Sequence, residues 1–199
     1  MKHWFSVGVI PYFVAVFLSG FVQMGMFILF QRWLSFSFSG PSFFWRSMLL
    51  QFSLFVPCVF MVAPASFFSS RFPKGKVMAW SSFGMTLTLV AIAVLFGLDI
   101  GWVAFGLMLL YGIFLSIHSP AKLGLLKELF GDRNLVKANA WQSSVAVLGM
   151  VAVSFLTISF TPGEDSPIPY EILPYIFLSL SLCGTIFFFS LRAEMLNAQ

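Results

Sequence analysis

The stretch YFVAVFLSGFVQMGMFILF, residues 12–30, contains no Asp, Glu, Lys or Arg, and its only strongly polar side chains are Ser19 and Gln23. A helix that spans a bilayer needs about 20 predominantly apolar residues. Inside hydrocarbon the backbone must satisfy its own hydrogen bonds, so a spanning segment is either a helix or a strand of a closed barrel. Barrel strands are about 10 residues long and alternate in polarity. This stretch is about twice that length and does not alternate. It reads as a helix that crosses a membrane.

The same pattern recurs along the chain. Further apolar runs cover residues 48–68, 77–96, 102–117, 138–160 and 173–191, and a shorter one from Trp4, containing Pro11, precedes the first. The expectation is an all-α membrane protein with six transmembrane helices, forming a single transmembrane domain over residues 1–199. Composition agrees. Apolar residues make up 59% and charged residues 9% of the chain, and Phe occurs 27 times. An ordinary soluble domain is about 25% charged. The mean hydropathy is +0.95. The N-terminal apolar region is too long for a cleaved signal peptide, and no small-residue cleavage site is followed by a soluble domain.

The net charge of +4 does not point to nucleic acid, because the basic residues fall in short connections rather than on one face. Lys2, Arg71, Lys74, Lys76, Lys122, Lys127, Arg133, Lys137 and Arg192 lie in one set of connections; only Arg32 and Arg46 lie in the other. The segment from Thr161 to Glu171 carries Glu164, Asp165 and Glu171 with no basic residue. Positive charge is retained on the cytoplasmic side, so both termini are expected there, in keeping with an even number of spans. Pro73 and Gly75 mark a tight turn, and Leu98–Gly101 a very short connection on the other side. The longest connection, Pro120–Lys137, interleaves Leu123, Leu126, Leu129 and Phe130 with Lys122, Lys127 and Glu128. It reads as an amphipathic segment lying at the headgroup level.

Chemistry-bearing residues are few. Cys58 and Cys183 both sit in apolar runs, where a thiol is a small hydrophobe, and no spacing suggests a disulfide or a metal site. No acidic or basic side chain falls in the middle of a span, which gives little support to a proton relay. The polar candidates are Gln23, Gln51, His118 and Gln142. For Gln23 two roles stay open: contact with a substrate headgroup, or an interhelical hydrogen bond. His118, beside Ser119 and Pro120, and Gln142, beside Ser143 and Ser144, carry the same two alternatives. An acyltransferase pairing of His with Asp five residues later is excluded, since Gly8 follows His3 and Leu123 follows His118 at that spacing. There is no nucleophile elbow, phosphate-binding loop or zinc-helix motif. The chain is not expected to be an enzyme or to need a cofactor.

Two connections carry a resemblance. Ser66-Phe-Phe-Ser-Ser-Arg-Phe-Pro-Lys-Gly-Lys76 resembles the loop signature of the major facilitator superfamily, roughly Gly-x-x-x-Asp-Arg-x-Gly-Arg-Lys. Arg71 stands at the Arg and Lys74 and Lys76 at the basic tail, while Ser70 replaces the Asp and Ser66 the leading Gly. The more specific match is residues 119–139, SPAKLGLLKELFGDRNLVKAN, which looks like the connection between helices four and five in the bacterial lysophospholipid transporters of that superfamily. Pro120, Ala121, Lys122, Gly124, Leu126, Glu128, Leu129, Leu135, Val136, Ala138 and Asn139 fit; Lys127 stands where Pro is frequent. Phe17–Phe21 resembles the family's opening helix, whose Asp-Asn pair is replaced here by the Val22-Gln23 region.

The resemblance implies the N-terminal half of a two-half fold, built as a three-plus-three inverted repeat. It implies alternating-access movement of lysophospholipid, chiefly lysophosphatidylethanolamine, across the bacterial inner membrane. Gln23, His118 and Gln142 would then serve the substrate, and Arg71, Lys74 and Lys76 the inner gate. It also implies a partner half or a second copy of this chain. The competing expectation is a non-transporting anchor that recruits a cytosolic acyltransferase through Pro120–Lys137, or an inactive remnant.

Overall fold

The computed structural model describes residues 9–98, 100–159 and 172–197, with the side chains of residues 69, 158–159 and 190–197 excepted. Lys2, His3, Asp99, Glu164, Asp165 and Glu171 fall outside the described residues, and so does the side chain of Arg192. The described chain forms five helical elements: α1 (Val9–Ser37), α2 (Pro41–Arg71), α3 (Lys74–Gly97), α4 (Gly101–Ser159) and α5 (Leu173–Asn197). Four of them, α1 to α4, contain stretches long and apolar enough to cross a bilayer; the apolar part of α5, Leu173–Phe189, is shorter. This is the character of a multi-pass membrane protein.

Two boundaries have a local cause. Gly40 precedes α2 at φ 61°, and Pro41 opens that helix. Only glycine takes that backbone conformation readily. The turn between α2 and α3 is Phe72-Pro73, with Phe72 extended at φ −112°, ψ 152°, as a residue before proline prefers.

The six expected runs fall within five elements, because residues 118–137, mostly at the surface, continue the helices on either side of them. They are helical, with Pro120 inside, and join the expected fourth and fifth runs into a single 59-residue element. A straight helix of that length would reach about 90 Å at 1.5 Å per residue, about three times the hydrocarbon thickness. It is not straight. Gly131, at φ 68° and ψ 169°, breaks the helical geometry. The Gln142 side chain accepts the Tyr12 hydroxyl proton, and the Lys122 carbonyl, on the other side of Gly131, lies 3.4 Å from the same hydroxyl oxygen. Twenty residues of straight helix would hold them about 30 Å apart. α4 therefore doubles back at Gly131, with a first limb over residues 101–130 and a second over 132–159.

α4 and α5 pack around α1 and α3, whereas α2 packs chiefly against α4. Small residues bring the backbones close, as membrane helices require when lipid supplies no hydrophobic drive. A methyl group at Gly20 would lie 2.6 Å from the Ala146 carbonyl oxygen, and one at Gly112 would lie 2.9 Å from that of Ser53. The larger apolar cluster centres on Phe30, Leu34, Leu50, Ile92, Met108 and Phe177. A second, at the end carrying the Arg71–Lys76 turn, joins Tyr12, Val16, Met78, Leu125, Ala138 and Phe188. At the opposite end Trp33 and Trp102 meet edge to face at 5.4 Å. The Arg46 guanidinium caps this cluster, 3.4 Å from the Phe38 ring centre and 4.9 Å from that of Trp102. The outer surface of α2 is bare hydrocarbon: Phe60 is 76% exposed and Val59 72%. Such a surface suits acyl chains.

Candidate functional site

Gln23 and Gln51 converge on a cavity of about 400 Å³ between α1, α2 and the second limb of α4. Met24, Phe27, Leu54, Phe55 and Met150 complete the wall. The helical period produces this arrangement. Gln23, Met24 and Phe27 share one face of α1, and Gln51, Leu54 and Phe55 share one face of α2. Gln23 is half-buried and Gln51 exposed. Neither amide bonds to another described residue. Each brings an acceptor oxygen and two N–H donors into an otherwise apolar lining. The size falls within the range of about 300–1,000 Å³ typical of sites for small organic ligands.

His118 and Gln142 do not line this cavity. His118 is 1% exposed. Its Nδ1 lies 3.1 Å from Ser81 Oγ and 3.4 Å from Ser82 Oγ, and its ring meets Phe188 edge to face at 5.2 Å. His118 Nε2 is buried with no hydrogen-bond partner among the described residues. Gln142 is buried and accepts the Tyr12 hydroxyl proton, tying α1 to the second limb. The Tyr12–Lys122 carbonyl contact, at 3.4 Å, ties α1 to the first limb.

The basic turn is organised by an ion pair across helices. Lys74 Nζ lies 3.1 Å from Glu128 Oε1, and both side chains are partly exposed. Gly124, one helical turn before Glu128, makes room for the lysine stem: a methyl group there would lie 2.5 Å from Lys74 Cδ. Arg71 stacks over Phe67 at 4.6 Å. Lys76 is exposed and has no ion-pair partner among the described residues. Of the remaining motif residues, Pro120 and Lys122 are half-buried within the first limb, and Asn139 is exposed on the second. In the polar stretch outside the apolar runs, Lys127 pairs with Asp132 at 2.9 Å, across the Gly131 break. Hydrogen bonding to that carboxylate raises the lysine above its ordinary pKa.

Sequence reasoning missed the hydroxyl seam between α3 and α5. Thr86 Oγ1 lies 2.8 Å from Ser181 Oγ and 2.8 Å from Thr185 Oγ1. Thr86 and Thr185 are each one of several hydroxyls in their apolar runs, so the sequence does not single them out, and their pairing is a tertiary fact. No metal-binding group of three or more His, Cys, Asp or Glu side chains occurs among the described residues. No family model matches the chain, and neither does any curated protein or solved structure.

Proposed function

We propose that this chain is a membrane transporter half that moves lysophospholipid, with lysophosphatidylethanolamine the leading cargo, by alternating access. The observation that carries this reading is the cavity holding Gln23 and Gln51. It offers apolar wall for an acyl chain and two amides, without a competing internal bond, for a polar headgroup. An amphiphile satisfies both parts of that lining; a small ion or a sugar leaves the apolar wall uncovered.

In this proposal the two limbs of α4 act as separate spans, so that α1, α2, α3, the two limbs and α5 make the six spans of one half. The resemblance of residues 66–76 and 119–139 to the lysophospholipid branch of the major facilitator superfamily supports the same assignment, with both termini cytoplasmic and the bacterial inner membrane as the location. The Lys74–Glu128 pair, linking the α2–α3 turn to α4, takes the place of the gate contact that the missing loop Asp would have made. The substrate path then lies between this half and a complementary half or a second copy.

One observation favours a second reading, a membrane anchor for a cytosolic acyltransferase. Val136 is 84% exposed and Leu123 47% exposed in the stretch around the Gly131 break, which gives a protein partner apolar purchase. Uptake of labelled lysophosphatidylethanolamine into spheroplasts separates the two. Expression of the chain, alone or with a complementary second half, is expected to raise uptake, and Gln23→Ala with Gln51→Ala to abolish the gain. Absence of uptake in both settings, with co-purification of an acyltransferase through Val136, replaces transport by the anchor.

A further inference from the structure

A second groove, of about 460 Å³, lies where the end of α2, the start of α3 and the first limb of α4 meet. None of its lining residues belongs to the Gln23 cavity. Phe68, Phe72, Val77, Trp80, Phe114 and Ile117 form the wall, and Lys76 stands at the rim. The Phe68 and Phe72 rings stack at 6.2 Å with 20° between their planes, making a flat side. Trp80 is 60% exposed, one helical turn from Lys76 on the same face of α3. Phe114, partly buried, lies close against α3 because α3 has no side chain opposite it: a methyl group at Gly84 would lie 2.5 Å from the Phe114 ring.

We propose that this groove is a binding site for an anionic phospholipid of the leaflet bathing the Arg71–Lys76 turn. One acyl chain lies against Trp80, Phe114 and Ile117, and the phosphate sits on the Lys76 ammonium. Hydrocarbon alone gives no preference here, because lipid tails are as apolar as the groove. Discrimination comes from shape and from charge at the rim. Among the two lysines of the turn, Lys74 is already tied to Glu128, whereas Lys76 has no described carboxylate partner. A basic side chain at the headgroup boundary between spanning helices is a phosphate acceptor. The N-terminal end of α3 adds partial positive charge at the same place.

The proposal is independent of transport, and it is tested on the purified full chain by native mass spectrometry. Dioleoyl phosphatidylglycerol and dioleoyl phosphatidylcholine serve as probes at equal concentration. Wild type is expected to retain phosphatidylglycerol over phosphatidylcholine, and Lys76→Gln to lower phosphatidylglycerol retention about five-fold. Lys74→Gln together with Glu128→Gln, which removes the ion pair without changing the net charge, is expected to leave it unchanged. Ile117→Trp, which fills the groove, is expected to lower retention of both lipids. Circular dichroism establishes that each variant is folded. Equal retention by wild type and Lys76→Gln overturns the proposal. So does an equal loss in the Lys74→Gln, Glu128→Gln double variant and in Lys76→Gln, which would mean that the Lys76 charge is not what holds the phosphate.

Discussion

Replacing Gly20 by Ala tests the packing of α1 on the second limb of α4, and with it the doubling back at Gly131. The new methyl group would lie 2.6 Å from the Ala146 carbonyl oxygen and 3.3 Å from its carbon; ordinary contact begins at 3.4 Å. The obstacle is backbone on a facing helix, so no side chain can swing away and the helices must part. Overpacking of this kind costs about 1–3 kcal/mol. Against it, alanine is favoured over glycine inside a helix by about 0.8–1.0 kcal/mol. The expected net effect is a loss of about 0–2 kcal/mol. Gly106→Ala is the internal reference, because nothing lies within 4 Å of a methyl group there. It should gain up to about 1 kcal/mol from propensity alone. The assay is reversible unfolding in mixed micelles, followed by far-ultraviolet circular dichroism. Gly149 faces the same contact from the other side, against the Phe17 carbonyl and 3.1 Å from Phe21 N. Once Gly20→Ala has separated the helices, Gly149→Ala should cost less than it does alone, as coupled neighbours do. Equal stabilisation by Gly20→Ala and Gly106→Ala would refute the close crossing.

Three further outcomes follow from the polar contacts. Gln142→Leu leaves the buried Tyr12 hydroxyl with only the long 3.4 Å contact to the Lys122 carbonyl and should cost about 1–3 kcal/mol; adding Tyr12→Phe should restore most of that loss, read in the same unfolding assay. Glu128→Gln should cost no more than about 1 kcal/mol, as partly exposed ion pairs do, and the difference from wild type should shrink in high salt. His118→Leu should lower stability by no more than about 1.5 kcal/mol. Ser81 keeps its 3.0 Å bond to the Met78 carbonyl, and the change removes an unpartnered buried Nε2.

The helical membrane class is legible in residues 12–30 because charge is absent over a bilayer's length, a signal that needs no tertiary information. Helix extent is harder. α1 continues past the expected Phe30 to Ser37, and α2 begins at Pro41 rather than near residue 48. Arg32 and Arg46 read as breaks, yet Arg46 spreads its guanidinium on Phe38 and Trp102 and the helix continues beneath it. Between Pro120 and Lys137 the charges read as a surface connection. The backbone there is helical, and the turning point is the glycine in Phe130-Gly131-Asp132, whose positive φ has no hydropathy signature. Gln23 was visible as an amide in a span. Its meeting with Gln51 was not, since residues on two helices share a cavity only after those helices pack. The same limit hid the Tyr12–Gln142 bond.

Photolabelling tests the central claim most directly. The probe is a lysophosphatidylethanolamine carrying a photoactivatable group on its acyl chain, used with the chain in native membranes. Labelled peptides are expected to centre on Met24, Phe27 and Met150, with labelling suppressed by excess unlabelled lysophosphatidylethanolamine and lost in Gln23→Ala with Gln51→Ala. Labelling spread over the lipid-facing surface at Val59 and Phe60, indifferent to competitor and to both substitutions, would contradict the account.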